Sequence, residues 1–201
     1  IGDSPLVSMT VLQGKELSFN NYLDVMGAFA LVRDLGAGRI AIIKHNNPCG
    51  AAWQGDVLAS WQRALKTDPV SAFGGVVAVN GTVSAALAEE MNQLFLEVVG
   101  ARSIDPGAAT LFGKKKNLRV ITIPEAHWNA PAPSLMGVWT NEVALVQDDD
   151  TGFPELEKLE TVTTHSPAKD QMLALRMAWK VAKHVKSNAI IYVKDGATVG
   201  I

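Results

Sequence analysis

Cysteine, tyrosine and histidine are scarce in this chain: one, two and four among 201 residues. A single cysteine, Cys49, excludes an intrachain disulfide framework and fits a reducing compartment, so a cytoplasmic location is expected. Charge of one sign is also lacking. Eighteen Lys and Arg stand against 20 Asp and Glu, a formal net charge of -2, so nothing global argues for nucleic acid as a partner. Lys114-Lys115-Lys116 is the one basic run and reads as a solvated helix end. No apolar run approaches the ~20 residues that cross a bilayer, so no membrane partner is expected. No signal-peptide pattern opens the chain. What is present, 48% hydrophobic and 19% charged residues, suits a packed globular protein.

Several common sites are missing too. Zinc nucleobase deaminases require a His-x-Glu and a Pro-Cys-x-x-Cys. Pro48-Cys49 supplies half of the second motif, but Ala52 stands where its other cysteine belongs, and no His-x-Glu occurs. No metal site is therefore expected. There is no Walker-type phosphate loop and no Gly-x-Ser-x-Gly elbow. Gly36-Ala37-Gly38 precedes a strand, the wrong order for a dinucleotide fingerprint, and reads as a helix C-cap and turn.

Helical and strand periodicities alternate along most of the length. Asn20 and Asn21 are plausible N-caps for a helix reaching about Gly36, with Leu23, Met26, Phe29, Ala30 and Val32 on its apolar face. A buried strand follows at 39–43. Val57, Leu58, Trp61, Ala64 and Leu65 predict a helix that stops before Asp68-Pro69. Gly74-Gly75 opens a strand over 76–79. A helix over 84–95, a short strand at 96–99, a helix over 106–116 and a strand over 118–123 come next. This alternation predicts a three-layer α/β architecture around a mixed, mostly parallel central sheet.

From Pro124 to Pro154 the pattern is less regular, with Pro131, Pro133 and a possible strand at 138–147. The acid run Asp148-Asp149-Asp150 reads as a solvated turn, and Glu155, Glu157 and Glu160 as a solvated face. Ser166-Pro167 signals a helix start, followed by a stripe of Leu175, Ala178, Trp179, Ala182 and Val185 read as core. Asn188 marks the passage to an apolar strand over 189–193. Asp195-Gly196 is a hairpin signal, and Thr198 to Ile201 begins the returning strand. Starting at Ile1 and stopping inside that strand, the chain reads as part of something longer.

The richest stretch is Arg39 to Gly50. Its apolar residues suit a parallel-sheet strand covered on both faces, and Pro48 and Gly50 break the pattern. Lys44 and His45 then stand where the strand leaves the sheet, outside its carboxyl end, where open α/β folds bind ligands. A lysine there can stabilise developing negative charge, and a histidine can move a proton near neutral pH. Alone, a Lys-His pair in a turn is usually solvated surface. His127, His165 and His184 are read as bystanders and Cys49 as a small packed residue.

Taken together, Leu17-Ser18-Phe19-Asn20-Asn21, Lys44 to Gly50, Thr67 to Gly75, Phe95 to Val99, Lys183 to Asn188 and Tyr192 to Ile201 resemble the AICAR transformylase part of the bifunctional AICAR transformylase/IMP cyclohydrolase family. The segments occur in that family's order and cover nearly the whole chain. The resemblance implies formyl transfer from 10-formyltetrahydrofolate, as co-substrate, to the 5-amino group of AICAR, giving FAICAR. It makes His45 the proton shuttle, Lys44 the oxyanion stabiliser and Asn188 a hydrogen-bonding group near the reacting amine. Gly74 matches a backbone contact to the nucleotide, Glu97 an acidic position for ribose hydroxyls, and Asn20 a substrate contact. It also implies a cytidine-deaminase-like fold without the zinc, a homodimer, and residues 1–201 as one subdomain, the first half of the transformylase. The family's nucleotide-binding segment before residue 1, its second subdomain and its cyclohydrolase domain are then expected elsewhere. Two other readings stand beside this one: a noncatalytic relative that binds a nucleotide or mediates oligomerisation, and a generic α/β binding domain.

Overall fold

A computed structural model describes residues 4–53, 55–130, 135–153 and 158–201. Pro131, Pro133, Pro154, Glu155 and Glu157 lie outside the described residues. The chain runs α1 (Pro5–Ser8), β1 (Thr10–Gln13), α2 (Phe19–Leu35), β2 (Ile40–Lys44), β3 (Asn47–Ala52) and α3 (Val57–Leu65). It continues through β4 (Gly75–Val83), α4 (Ala85–Met91), β5 (Leu96–Ile104), α5 (Pro106–Phe112), β6 (Arg119–Thr122) and a 3-10 turn, Glu125–His127. Then come the hairpin β7 (Leu135–Trp139) and β8 (Ala144–Asp148), α6 (Lys169–Ala182), and the hairpin β9 (Tyr192–Lys194) and β10 (Ala197–Gly200).

Local chemistry explains the helix starts. Ser18, not Asn20 or Asn21, is the N-cap of α2. Its hydroxyl accepts from the Asn21 N–H at 3.2 Å, and the Asn21 side chain accepts from the Ser18 N–H at 3.1 Å. This reciprocal pair satisfies two otherwise orphaned donors. Asp56 caps α3 through the Ala59 N–H, and Ser84 caps α4 through the Leu87 N–H. The last helix begins at Lys169, after Ser166-Pro167; its entry is held by the Ala168 N–H donating to the Gln171 side chain.

The main sheet has the order β1-β6-β5-β4-β2-β3-β10-β9. Only β4–β5 and β5–β6 are parallel. The other five pairings are antiparallel, which corrects the expectation of a mostly parallel sheet. Apolar residues on both faces of β2 report that both faces are covered, not which way its neighbours run. Direction is set by connections: helical crossovers join β4 to β5 and β5 to β6, whereas a two-residue turn joins β2 to β3 and forces them antiparallel. Pro48, Cys49 and Gly50 accordingly lie within β3 instead of ending the sheet.

Residue parity along the strands builds two cores, one on each sheet face. Ile40, Ile42, Val77, Val79 and Val99 pack with Trp61 of α3, Leu87 and Met91 of α4 and Phe112 of α5. Ala41, Ile43, Val76, Ala78 and Val98 pack with Val25, Phe29 and Val32 of α2, Met177 and Val181 of α6, and Trp128. The three-layer α/β arrangement is as expected. Along α6 the buried positions are Met177 and Val181; of the predicted stripe Leu175 and Trp179 are exposed, Ala178 and Ala182 are half-buried, and Val185, past the helix end, packs against the second core. Asp148 and Asp150 are exposed. Among the described residues no group of His, Cys, Asp and Glu could hold a metal, and no helix is long and apolar enough to cross a membrane.

Candidate functional site

Lys44 ends β2 and pairs with Asn47, the first residue of β3, across the loop His45-Asn46. Both loop residues have positive φ, 53° and 57°. This is the two-residue turn whose backbone twist matches the flanking strands. His45 is exposed at its tip. Because β2 runs antiparallel to β4, the same sheet end holds the start of β4 at Gly75 and the start of β5 at Leu96. The carboxyl-end rule therefore holds for β2; relative to the parallel strands β4 and β5 the site lies at the amino end.

Lys44 Nζ donates to the carbonyls of Phe73 at 3.0 Å and Gly74 at 2.8 Å. An ammonium has three N–H donors, so one remains for a ligand. Gly74 adopts φ +68°, and a Cβ there would stand 2.7 Å from Lys44 Nζ. Its N–H donates to the Phe95 carbonyl at 2.7 Å, and Phe73 and Phe95 rings lie 5.2 Å apart beside it. Gly74 thus sets where the ammonium sits.

Lys44 and His45 share a cleft of about 370 Å³ with Cys49, Thr67, Asp68, Ser71 and the end of β10 at Gly200 and Ile201. Asp68 is held below the usual carboxylate range, chiefly by hydrogen bonds from the Ser71 hydroxyl and N–H. The Cys49 thiol is pushed up to about 12 by burial and by the nearby Asp68 charge, and it points a weak hydrogen bond at the Ile42 carbonyl. A thiol in that state is not a nucleophile at neutral pH. Thr67 Oγ1 meets the Thr198 hydroxyl and carbonyl at 2.7 Å, tying the floor of the cleft to β10.

The structure thus brings Lys44, His45 and Gly74 together. Asn188 is exposed in the segment after α6. That segment approaches the turn through Lys186, whose N–H donates to Asn47 Oδ1 at 3.0 Å and whose Nζ donates to the His45 carbonyl at 3.2 Å. Glu97, on β5, accepts from Asn21 Nδ2 at 2.7 Å. Its partner within the fold is Asn21 and not Asn20, which is exposed on the first turn of α2. The sequence reads Asn21 only as an N-cap, although a signal for its inward side chain existed: Asn21, Val25, Ala28 and Val32 fall on one helical face, and all are buried. The contacts of Lys186 and of Asp24, whose carboxylate accepts from the Asn46 N–H, with the 45–46 turn were not foreseen, since nothing in the spacing of these residues announces them. His184, read as a bystander, lies just past α6 and pairs with Asp34 Oδ2 of α2 at 2.8 Å, and His127 contacts the Ser8 hydroxyl.

A family model described as AICARFT/IMPCHase bienzyme matches residues 2–201. The bifunctional purine biosynthesis protein PurH of Roseobacter denitrificans is 48% identical over 193 residues, which cover 94% of this chain and 36% of that protein. PurH of Ruegeria sp. is 47% identical over 196 residues, 94% of this chain and 36% of that protein. PurH of Magnetococcus marinus is 43% identical over 200 residues, 99% of this chain and 38% of that protein. The chain spans little more than a third of the length of these relatives, and it belongs to the AICARFT/IMPCHase bienzyme family.

Proposed function

We propose that this chain carries part of the AICAR transformylase site of purine biosynthesis, in a subdomain of cytidine-deaminase-like fold that works in the cytoplasm as a homodimer. The observation that carries the reading is the shared cleft of Lys44 and His45, with one donor of the Lys44 ammonium left over. The 5-amino group of AICAR is a weak nucleophile because its lone pair is delocalised into the ring. Its nitrogen attacks the formyl carbon of 10-formyltetrahydrofolate, and the carbonyl oxygen becomes a tetrahedral oxyanion. Lys44 stabilises that charge. The bond from carbon to N10 then breaks, and His45 carries the proton from the amine to N10 of the departing tetrahydrofolate. Asn188 holds the substrate near the reacting amine. Gly74, Glu97 and Asn20 contribute the nucleotide side of the pocket, with Glu97 oriented by Asn21.

One observation favours a second reading, a noncatalytic nucleotide-binding or oligomerisation relative: two of the three Lys44 donors are spent on backbone carbonyls. The deciding assay follows tetrahydrofolate release with AICAR and 10-formyltetrahydrofolate. It uses this chain alone and this chain substituted for the matching segment of Roseobacter denitrificans PurH. His45→Ala should lower transfer by about 10²–10⁴-fold, the usual weight of a general acid-base. Transfer that survives His45→Ala, or loss only of FAICAR cyclisation, overturns the assignment.

A further inference from the structure

The proposed chemistry needs the His45 imidazole in one place, yet His45 is exposed at a turn tip with a left-handed backbone. That conformation is uncommon for residues other than glycine, although asparagine, aspartate and histidine adopt it more often than the rest. The hairpin's own twist favours two successive residues in it, and contacts from outside can fix them further. Three contacts from outside the hairpin do so. Asp24 of α2 accepts from the Asn46 N–H at 2.5 Å. Lys186 reaches the turn twice, through its ammonium on the His45 carbonyl and its own N–H on the Asn47 side chain. The turn is therefore gripped from the α2 side by a carboxylate and from the α6 side by a lysine.

We propose that Lys186 is a positioning residue for His45: it fixes the 45–46 turn and couples the imidazole to the segment that bears Asn188, two residues further on. An exposed lysine is most often solvated, and a lone surface contact is worth little. Here one residue makes two bonds to the same turn, one to the His45 carbonyl and one to the Asn47 side chain. Lys186 is delivered there by a fixed anchor. Asp34 Oδ2 binds Lys183 Nζ at 3.0 Å and His184 Nε2 at 2.8 Å, and the Asp34 carbonyl accepts from Lys180 Nζ at 2.7 Å. All three partners lie within the six residues preceding Lys186. Releasing the His45 carbonyl lets the turn rotate about its φ and ψ angles, and a displacement of about 1 Å can cost ~10²-fold in rate.

The catalytic consequence rests on His45 carrying the proton; the structural one does not. Lys186→Met keeps the stem and removes the donor, and Lys186→Arg restores a donor. In this chain, amide exchange at residues 45–47 and the His45 ring resonances are measured by NMR. With Lys186→Met, exchange at the turn should accelerate about tenfold or more while the global unfolding midpoint stays put, and the ring resonances should shift; Lys186→Arg should reverse both. In the chimaera, kcat should fall about tenfold in Lys186→Met with KM within about twofold, and recover in Lys186→Arg. Wild-type exchange and ring signals in Lys186→Met overturn the proposal. Unchanged kcat in Lys186→Met, when His45→Ala is inactive, overturns it while leaving the transformylase reading intact. Full transfer by His45→Ala overturns that reading instead, and the exchange data still decide whether Lys186 holds the turn.

Discussion

Gly74 and Lys44 act as a pair, and each explains a property of the other. The lysine needs two carbonyls at hydrogen-bond distance, and the left-handed glycine turns one of them toward it. Gly74→Ala adds a Cβ 2.7 Å from the ammonium and imposes a strained φ. It should cost roughly 1–2 kcal/mol from the backbone and move Lys44 out of place. Thermal unfolding reads the first effect and the transfer assay the second. A drop in Tm with unchanged transfer would show that the lysine position is not set by Gly74. Cys49, a few residues away, makes the opposite case: it borders the cleft but has no chemistry to offer. With its thiol pushed up to about 12, alkylation of the folded chain at pH 8 should run ~100-fold or more below that of a free thiol and accelerate on unfolding. Mass spectrometry of iodoacetamide-treated protein checks this.

At the scale of elements, α2 is the organising helix. Its first turn supplies Asn21 to Glu97, its second Asp24 to the catalytic-candidate turn, and its last Asp34 to α6. Burial by itself raises the Asp34 carboxyl, but hydrogen bonds from His184 and Lys183 outweigh it, so the group is held below the usual carboxylate range. The sign follows: a depressed folded-state pKa contributes stability that is fully present above the unfolded value of 3.8 and is lost as pH falls through the lower folded value. Asp34→Asn should lose about 1.5–3 kcal/mol at pH 7, the scale of charge-assisted hydrogen bonds. The gap between variant and wild type should shrink below about pH 4. Urea unfolding at pH 7, 5 and 3 gives both numbers, and a gap independent of pH would refute the ionic origin. The contact between α3 and β3 is tighter still. A Cβ at Gly50 would lie 2.2 Å from the Ala64 carbonyl, so only glycine lets the helix approach that strand.

For the whole molecule the contrast is between a close-packed sheet and the β7–β8 hairpin. Trp128 is 2% exposed; its ring meets Phe29 edge-on at 4.9 Å and its N–H donates to the Ile123 carbonyl. Trp139, on the hairpin, is 74% exposed. Trp128→Ala should cost about 3–5 kcal/mol. Trp139→Ser should stay within about 0.5 kcal/mol. Since 1 kcal/mol moves Tm by about 2–4 °C at this size, calorimetry separates the two cleanly. Equal losses would mean that the hairpin is packed as firmly as the core. Its Leu135, Val138, Leu145 and Val146 are exposed as well.

By itself the sequence determined the elements that rest on local rules. Apolar runs and helical periodicity located β2, α3 and the β4–β6 region, Asp195-Gly196 announced the last hairpin, and the motif order identified the family. Those signals are local because capping, turn geometry and face alternation involve residues a few positions apart. The Lys44-His45 pair was legible for the same reason, although the His45-Asn46 turn was not recognised as a hairpin, since neither residue is glycine. Tertiary structure decided what depends on distant partners. It set the direction of β2, which both-face burial leaves open. It chose Asn21 over Asn20 for Glu97, because a helix turns successive residues about 100° apart and only one can face the sheet. It also rotated the buried face of α6 to Met177 and Val181 and brought Lys186 to His45 across 141 residues. Such long contacts are fixed only when the sheet is assembled and both helices have docked on it.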